Sequence, residues 1–444
     1  MIPSISPPRL LAKKPVLSRE SVVGKGASRD GSKTARVWWL RAASLLAMAY
    51  LVASQALLDI QGWSSTAFGF AVLLAGVMVV GHHYAMWRLR LGKWLIIPAV
   101  FLSFCLLRCF SGVKDTSPLD VFIQLASAFL GGIAVALALK AGVRFKELVY
   151  AQVTSSLLQI VLILSGVAPE PPPGEDSFRY AGITGNANVL ALQLTLGACM
   201  IWVLPRKAGV LPCALAFGAV AFALAVTGSR KALLTGGFFL LLVLVQTLAL
   251  VPRKRRRLVA TLAILAGSLA AFIIVPWVSQ NGREIVAVQR TLDYDDSSFR
   301  TRTEMIHQGL QLWKQAPLFG NGLDAFGGLS GQGTYAHNNY VELLCDIGLI
   351  GTLLFYALYV QLLIRAARAP RWLGVYCGIF VLMLLLVDFG YVSYKSKQAV
   401  MILMLLTVIP TSRYAFEAQL QPGHHEAFEV ATPKPAPRRF LLRG

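Results

Sequence analysis

The sequence predicts an all-α polytopic membrane protein with about twelve transmembrane helices and one long outer loop between the ninth and tenth. Three observations carry that prediction. Hydrophobic residues make up 56% of the 444 positions and charged residues 14%, and mean hydropathy is +0.62, a balance foreign to soluble chains of this size. Apolar runs near membrane-spanning length recur along most of the chain. Basic residues gather in alternate loops between those runs. Irregular backbone is not stable facing lipid, so helices are the expected spanning element. A net charge of +21 could point to nucleic acid, but its dispersal over tails and short loops marks topology determinants instead.

Residues 1–36 are polar and basic without a long apolar run. They read as a cytoplasmic tail, and the first span, 37–58, reads as a retained anchor, not a cleaved signal. Further runs follow at 65–86, 93–110, 118–139, 147–167, 188–205, 208–227, 233–251 and 258–278. Residues 37–278 thus hold spans one to nine, and 279–336 form the long outer loop. Residues 337–411 hold the last three spans, at 341–364, 372–389 and 395–411, and 412–444 form a second basic cytoplasmic tail. The six cysteines (105, 109, 199, 213, 345 and 377) fall in or beside apolar runs, with no CxxC pair. They read as small core residues, not a disulfide framework.

Basic stretches occur at 88–93 (RLRLGK), 140–146 (KAGVRFK), 206–207, 252–257 (PRKRRR) and 365–371 (RAARAPR). With twelve spans these share one side with both tails, and the positive-inside rule makes that side cytoplasmic. The PRKRRR run could bind anionic lipid heads, but topology anchoring is sufficient to account for it and is the favoured reading. The opposite side receives 59–64, 111–117, the acidic Pro-rich APEPPPGED loop, the 228–231 turn, the 279–336 loop and 390–397. Arg230 and Lys231 break the rule, since they lie on the outer face. A basic residue there needs another reason.

The long loop contains SSFRTRTEMIHQGLQLWKQAP, in which Ile306, Leu310 and Trp313 line one helical face. Thr301 and Glu304 have capping-box spacing. The face and Trp313 suit a helix along the membrane interface. PLFGNG then makes a turn, and a mobile Gly-rich stretch runs to Gly333. Alone, this is equally a surface helix with a floppy loop. Combined with its surroundings it is more. Arg179 lies at the outer mouth of span six, Arg230 at that of span eight, Arg300 and Arg302 start the loop helix, and His337 precedes span ten. Arginine grips phosphate through a planar fork that keeps its charge. Such a set fits an amphiphile with a diphosphate head at the membrane surface. His337 can accept a proton at neutral pH. Asn338, Glu342 and Asp346 share one helical stripe, which either orders neighbouring helices or orients the site. Gly348 and Gly351 would allow close approach of a neighbouring helix.

These residues carry a recognisable pattern. His337-Asn338, nine residues, then Gly348-x-x-Gly351 resembles the signature of O-antigen ligases. Arg230-x-x-x-Leu234 is similar to that family's Arg-x3-Leu motif. Arg302 precedes Pro317-x-x-Gly320-x-Gly322 as in the domain shared with O-antigen polymerases. The stretch from Gly182 to Ala191 (GITGNANVLA) is similar to an upstream element of that family, with Ala187 in place of its proline. The resemblance covers roughly residues 179–364. It implies a GT-C-like glycosyltransferase of the bacterial inner membrane, with both termini cytoplasmic and the site facing the periplasm. It further implies a metal-independent, cofactor-free, inverting transfer from an undecaprenyl-diphosphate-linked glycan. The acceptor is a lipid A core sugar for a ligase, or a lipid-linked repeat unit for a polymerase.

Carried over, His337 would be the general base, with Arg230 and Arg302 on the diphosphate. Arg300, Arg179, Asn188 and Asn338 would assist binding of diphosphate or glycan. Membrane lipids are implied partners; nucleic acid is not, and no GxxxxGK[ST] phosphate loop occurs. A metal-dependent enzyme of this class would want acidic residues in its first outer loop, and 59–64 offers only Asp59. The His-Asn-x9-Gly-x-x-Gly spacing favours a ligase, while AHNNYVELL…GLIG is also typical of O-antigen, capsule and exopolysaccharide polymerases. A twelve-span transporter or flippase is the competing class. It would put its polar groups near mid-membrane, whereas these gather at the outer mouths of spans six, eight and ten.

Overall fold

A computed structural model describes residues 26–56, 63–84, 92–111, 117–166, 187–202, 210–227, 229–250, 297–369 and 371–409, with a few positions between 254 and 261. Span nine, the acidic Pro-rich loop with Arg179, residues 279–296, residues 1–25 and residues 410–444 lie outside the described positions. Among the described residues there are thirteen α-helices and no strand. They are α1 (Gly26–Ala56), α2 (Trp63–His83), α3 (Ile96–Cys109), α4 (Pro118–Ala141) and α5 (Phe145–Leu164). Next come α6 (Ala187–Trp202), α7 (Val210–Thr227), α8 (Arg230–Leu250), α9 (Ser297–Gln315) and α10 (Ala325–Leu329). The last are α11 (Asn339–Ala367), α12 (Arg371–Val387) and α13 (Lys397–Val408). Eleven of these helices coincide with predicted apolar runs.

The chain is an all-α membrane protein. Thr34–Ser54, Pro118–Ala141, Phe145–Leu164 and Asn339–Ala367 are long and apolar enough to cross a bilayer, and shorter apolar helices accompany them. Large side chains such as Phe68, Leu73 and Val79 on α2, and Leu353, Val360 and Ile364 on α11, face outward. On a soluble protein such a surface would be a liability; against lipid it is the expected one. α1 starts at Gly26, so helix extends into the segment read as a tail.

α4 packs on α13, α2, α1 and α3; α1 also packs on α2 and α5. α6, α7 and α8 form a second group, joined through α5 to α6 and α8 to α12. α11 contacts α3, α9, α12 and α13. Buried polar side chains join several seams. Gln193 Nε2 donates to Ser155 Oγ at 2.8 Å, and Thr235 Oγ1 to Thr195 Oγ1 at 3.1 Å. Such bonds hold helices together where lipid offers no hydrophobic drive.

The two ends of the bundle differ. At one end Lys140 lies 5.5 Å from the Trp94 ring centroid, and Gly142 abuts Leu40. At the other, Arg108 closing α3 donates to the Gly320 carbonyl at 2.8 Å, and Ser117 ahead of α4 lines a cavity with Asp324 and Lys395. Lys93 and the basic segment 140–146 thus fall at the end away from His337. The five described cysteines are free, and all but Cys109 are buried.

Candidate active site

α11 begins where Asn338 caps it: the Asn338 side-chain oxygen accepts from the Val341 N–H at 3.1 Å. The other end of that amide donates to the Phe389 carbonyl at 3.3 Å. Asn338 therefore ties the helix start to the end of α12. Asn339 Nδ2 donates to Tyr356 and to Asp388, and its oxygen accepts from the Tyr394 N–H at 3.0 Å.

Glu342 and Asp346 lie one turn apart and are 1% and 0% exposed. Neither faces a neighbouring helix emptily. Glu342 accepts the Ala336 N–H at 2.6 Å, directly beside His337. Asp346 accepts the N–H groups of Asp324 at 3.2 Å and Phe326 at 3.0 Å, and the Tyr394 hydroxyl at 2.8 Å. Lys395 Nζ balances them, lying 2.8 Å from Glu342, 2.9 Å from Asp324 and 3.7 Å from Asp346. Burial opposes the charge on Lys395, yet the three carboxylates outweigh that effect and raise its pKa. Two helix carboxylates and one lysine thus pin the 324–338 loop to the mouth of α11. The Gly-rich stretch expected to be mobile is held by these bonds and by Gln332 donating to Gln308.

α11 breaks at Gly348, whose φ of 66° and ψ of −171° are not helical. The backbone groups freed there meet the PLFGNG segment. Asn321 and Gly322 N–H groups donate to the Cys345 and Asp346 carbonyls at 2.9 and 3.0 Å. In return, Leu349 and Ile350 N–H groups donate to the Pro317 and Leu318 carbonyls at 2.9 and 3.1 Å. A Cβ on Gly320 or Gly348 would collide with the backbone of the other segment. Both glycines also have positive φ, which a side chain disfavours. At Gly351 a Cβ would meet the Ile347 side chain at 2.6 Å. The expectation that Gly348 and Gly351 admit a neighbouring helix is therefore corrected. Gly348 admits a loop backbone, and Gly351 admits a side chain of its own helix.

The loop helix also departs from expectation. α9 begins at Ser297, so Thr301 lies inside it, and Glu304 accepts from Gln308 at 3.4 Å instead of closing a capping box. Its apolar face is engaged by protein. Met305, Ile306 and Leu310 pack with Phe326, Val341 and Cys345, and a Cβ at Gly309 would strike Val341.

His337 sits between these supports. Among the described residues only Asp324 and His337 are non-glycine positions with positive φ, at 64° and 53°. Backbone strain of this kind persists only where surroundings hold it, as the Glu342 bond to Ala336 does here. The His337 ring is half-buried and lies against the Tyr335 ring, centroids 4.3 Å apart. Burial first, then the charges of Arg302 and Lys231, lower its pKa to about 4. The imidazole is therefore neutral at physiological pH. Lys231 acts from the first turn of α8 and Arg302 from the second turn of α9, and neither helix carries an acidic residue in its first turn.

Lys231 reaches toward the α12–α13 turn, its Nζ 5.1 Å from the Tyr391 centroid and its stem beside Gly390. Its helix start is braced. Ser229 Oγ accepts the Lys231 N–H at 3.2 Å and donates to Asn188 Oδ1 at 2.7 Å. Asn188 on α6 therefore anchors the turn that launches Arg230 and Lys231. Arg230 is the first residue of α8; its side chain, like Arg179, lies outside the described positions. Arg300 is exposed one turn from the start of α9.

Sequence reasoning did not assign Lys231, Tyr335, Asp324 or Lys395 to the site. Lys231 left a signal, being basic beside Arg230 in a turn expected on the outer face. Lys395 left none, since its hydrogen-bonded carboxylate partners Glu342 and Asp324 lie 53 and 71 positions upstream. Among the described residues no group of three His, Cys, Asp or Glu side chains is arranged to hold a metal. Asp324, Glu342 and Asp346 instead surround the Lys395 ammonium.

No curated protein matches the chain. A family model does: residues 213–356 match that described as O-antigen ligase. The match runs from α7 to the middle of α11 and takes in Arg230, Arg302, the PLFGNG segment, His337 and both signature glycines. The clasp at Gly348 and the pinned histidine thus lie within it, and the match over residues 213–356 supports an O-antigen ligase/polymerase family assignment for that part of the chain.

Proposed function

We propose that this chain is a glycosyltransferase that moves a glycan from undecaprenyl diphosphate to an acceptor sugar, in the manner of an O-antigen ligase, at the outer face of the inner membrane. The observation that carries this reading is the meeting of two basic helix starts on one strained histidine. Arg302, in the second turn of α9, and Lys231, in the first turn of α8, both bear on His337. Lys231, at a helix N-terminus, opposes both the macrodipole and the positive-inside rule. An anion bound there relieves both costs. A lipid diphosphate at the membrane surface is such an anion.

In this reading His337 is the base. It takes the proton of the acceptor hydroxyl as that oxygen bonds to the anomeric carbon. The bond from that carbon to the diphosphate oxygen breaks, and the stereochemistry inverts. Arg302, Arg230 and Lys231 stabilise the departing diphosphate, with Arg300 and Arg179 assisting. A free imidazole with a pKa near 4 is a weak base. The incoming diphosphate offsets the two cations and strengthens it, so proton affinity rises when donor is bound. No metal and no cofactor is required by this scheme, because the diphosphate is itself a good leaving group. Asn338 and Asn188 serve it by holding the helix starts.

Deleting the gene and inspecting the surface glycan tests the assignment. Full-length polymer stranded on undecaprenyl diphosphate is the ligase result. Single repeat units on the final acceptor indicate a polymerase. An unchanged glycan removes the reading.

A further inference from the structure

A cavity of about 480 Å³ opens between the first turns of α4 and the 324–335 loop. Its walls include Ser117 ahead of α4, Val121 and Gln124 on it, Asp324, Thr334 and Tyr335 from the loop, and Lys395. Its volume is that of a small-molecule site. Its chemistry is hydroxyl, amide, carboxylate and ammonium, interrupted by glycine backbone. Lys395 is shared among Asp324, Glu342 and Asp346, so it offers the cavity no unbalanced cation. Tyr335 is the shared wall, for it lines the cavity and contacts the His337 ring. Arg302 and Lys231 bear on His337 from other elements, α9 and α8.

We infer that this cleft seats the acceptor saccharide, presenting its hydroxyl to His337 past the edge of Tyr335. The inference rests on the glycosyltransferase reading and adds the place of the second substrate. A sugar ring offers hydroxyls that both donate and accept, and an apolar C–H face that lies on an aromatic ring. The cleft supplies the complements of both. A lipid tail would need an apolar lining, and a phosphate would need an unbalanced cation. An inverting displacement needs the nucleophile opposite the leaving group. Arg302 and Lys231 act on His337 from α9 and α8, while the cleft reaches it through Tyr335, so diphosphate and acceptor hydroxyl come to the histidine from different elements. The acceptor O–H bond breaks, its proton passes to His337, and its oxygen bonds to the anomeric carbon as the diphosphate departs.

Gln124→Trp and, separately, Ser117→Trp test this, because both positions are exposed and tryptophan is at home at a membrane interface. Purified full-length protein in nanodiscs is given the undecaprenyl-diphosphate glycan. It is titrated with isolated lipid A–core oligosaccharide, and separately with the single lipid-linked repeat unit. The acceptor KM is expected to rise at least about tenfold, some 1.4 kcal/mol, with the donor KM unchanged. A rise confined to the donor KM would assign the cleft to the donor glycan and overturn the inference. Unchanged KM values in an active enzyme would also overturn it. Wild-type protein that transfers to neither acceptor would sink the glycosyltransferase reading, and the cleft assignment with it.

Discussion

The two halves of α11 behave as different materials. Before Gly348 the helix buries Asn339, Glu342 and Asp346, and each is bonded to a loop or to a neighbouring turn. After Gly348 it buries Phe355, Leu358 and Leu362, and Phe355 packs on Phe101 with ring centroids 5.5 Å apart. The upper half is fixed by directional bonds and by carboxylates gathered on Lys395, the lower half by apolar contact. Directional bonds hold one geometry, while apolar contact tolerates exchange of shape. A proton-transferring side chain belongs beside the first kind of structure. The break at Gly348 lets one helix contain both, because PLFGNG satisfies the backbone groups the break exposes.

The difference can be broken at the joint first. Gly348→Val puts a branched side chain where φ is 66° and loop backbone is in contact. The expected cost exceeds about 3 kcal/mol, read as loss of monodisperse protein in detergent; a normal Tm would contradict the clasp. Glu342→Ala comes next. It strips Ala336 N–H of its acceptor and Lys395 of one partner, for about 3 kcal/mol. Glu342→Gln keeps an acceptor for Ala336 and should restore part of the activity lost in the alanine variant. Equal activity in both would show that Glu342 does not hold the His337 loop.

Arg302→Gln should lower transfer about 10²-fold and leave Tm nearly unchanged. It also has a signed pH effect. Arg302 disfavours the imidazolium, so its removal raises the His337 pKa from about 4 toward the ordinary value. The acid limb of kcat/KM in the free enzyme should move to higher pH. A limb that stays fixed would mean that Arg302 does not act on His337. The smallest effect is expected below the break. Phe355→Leu should cost about 1 kcal/mol in thermal unfolding and leave donor and acceptor KM alone. A large loss of activity there would erase the distinction between the halves.

Much of this was legible in the sequence where the cause is local. Apolar runs gave eleven helices because span length and hydropathy are properties of a contiguous segment. His337 and Arg302 could be picked out by residue type and spacing. The supports could not. Glu342 and Asp346 read as a polar stripe, but Lys395 meets them only after α12 has returned to the same end of the bundle. Pro317–Gly322 reads as a turn, and its partner at Gly348 is a non-local backbone pairing with no side-chain signature. The apolar face of α9 suited a membrane interface because periodicity does not distinguish lipid from protein, and Met305 and Leu310 lie on protein.

The central claim is that His337 removes the acceptor's proton. The direct measurement is His337→Ala in a strain lacking the native gene, with folded, inserted protein verified and the surface glycan resolved by size. General-base loss predicts a fall of about 10²- to 10⁴-fold in transfer, seen as disappearance of the mature glycan and accumulation of its lipid-diphosphate precursor. A full-length surface glycan at the wild-type level would contradict the account.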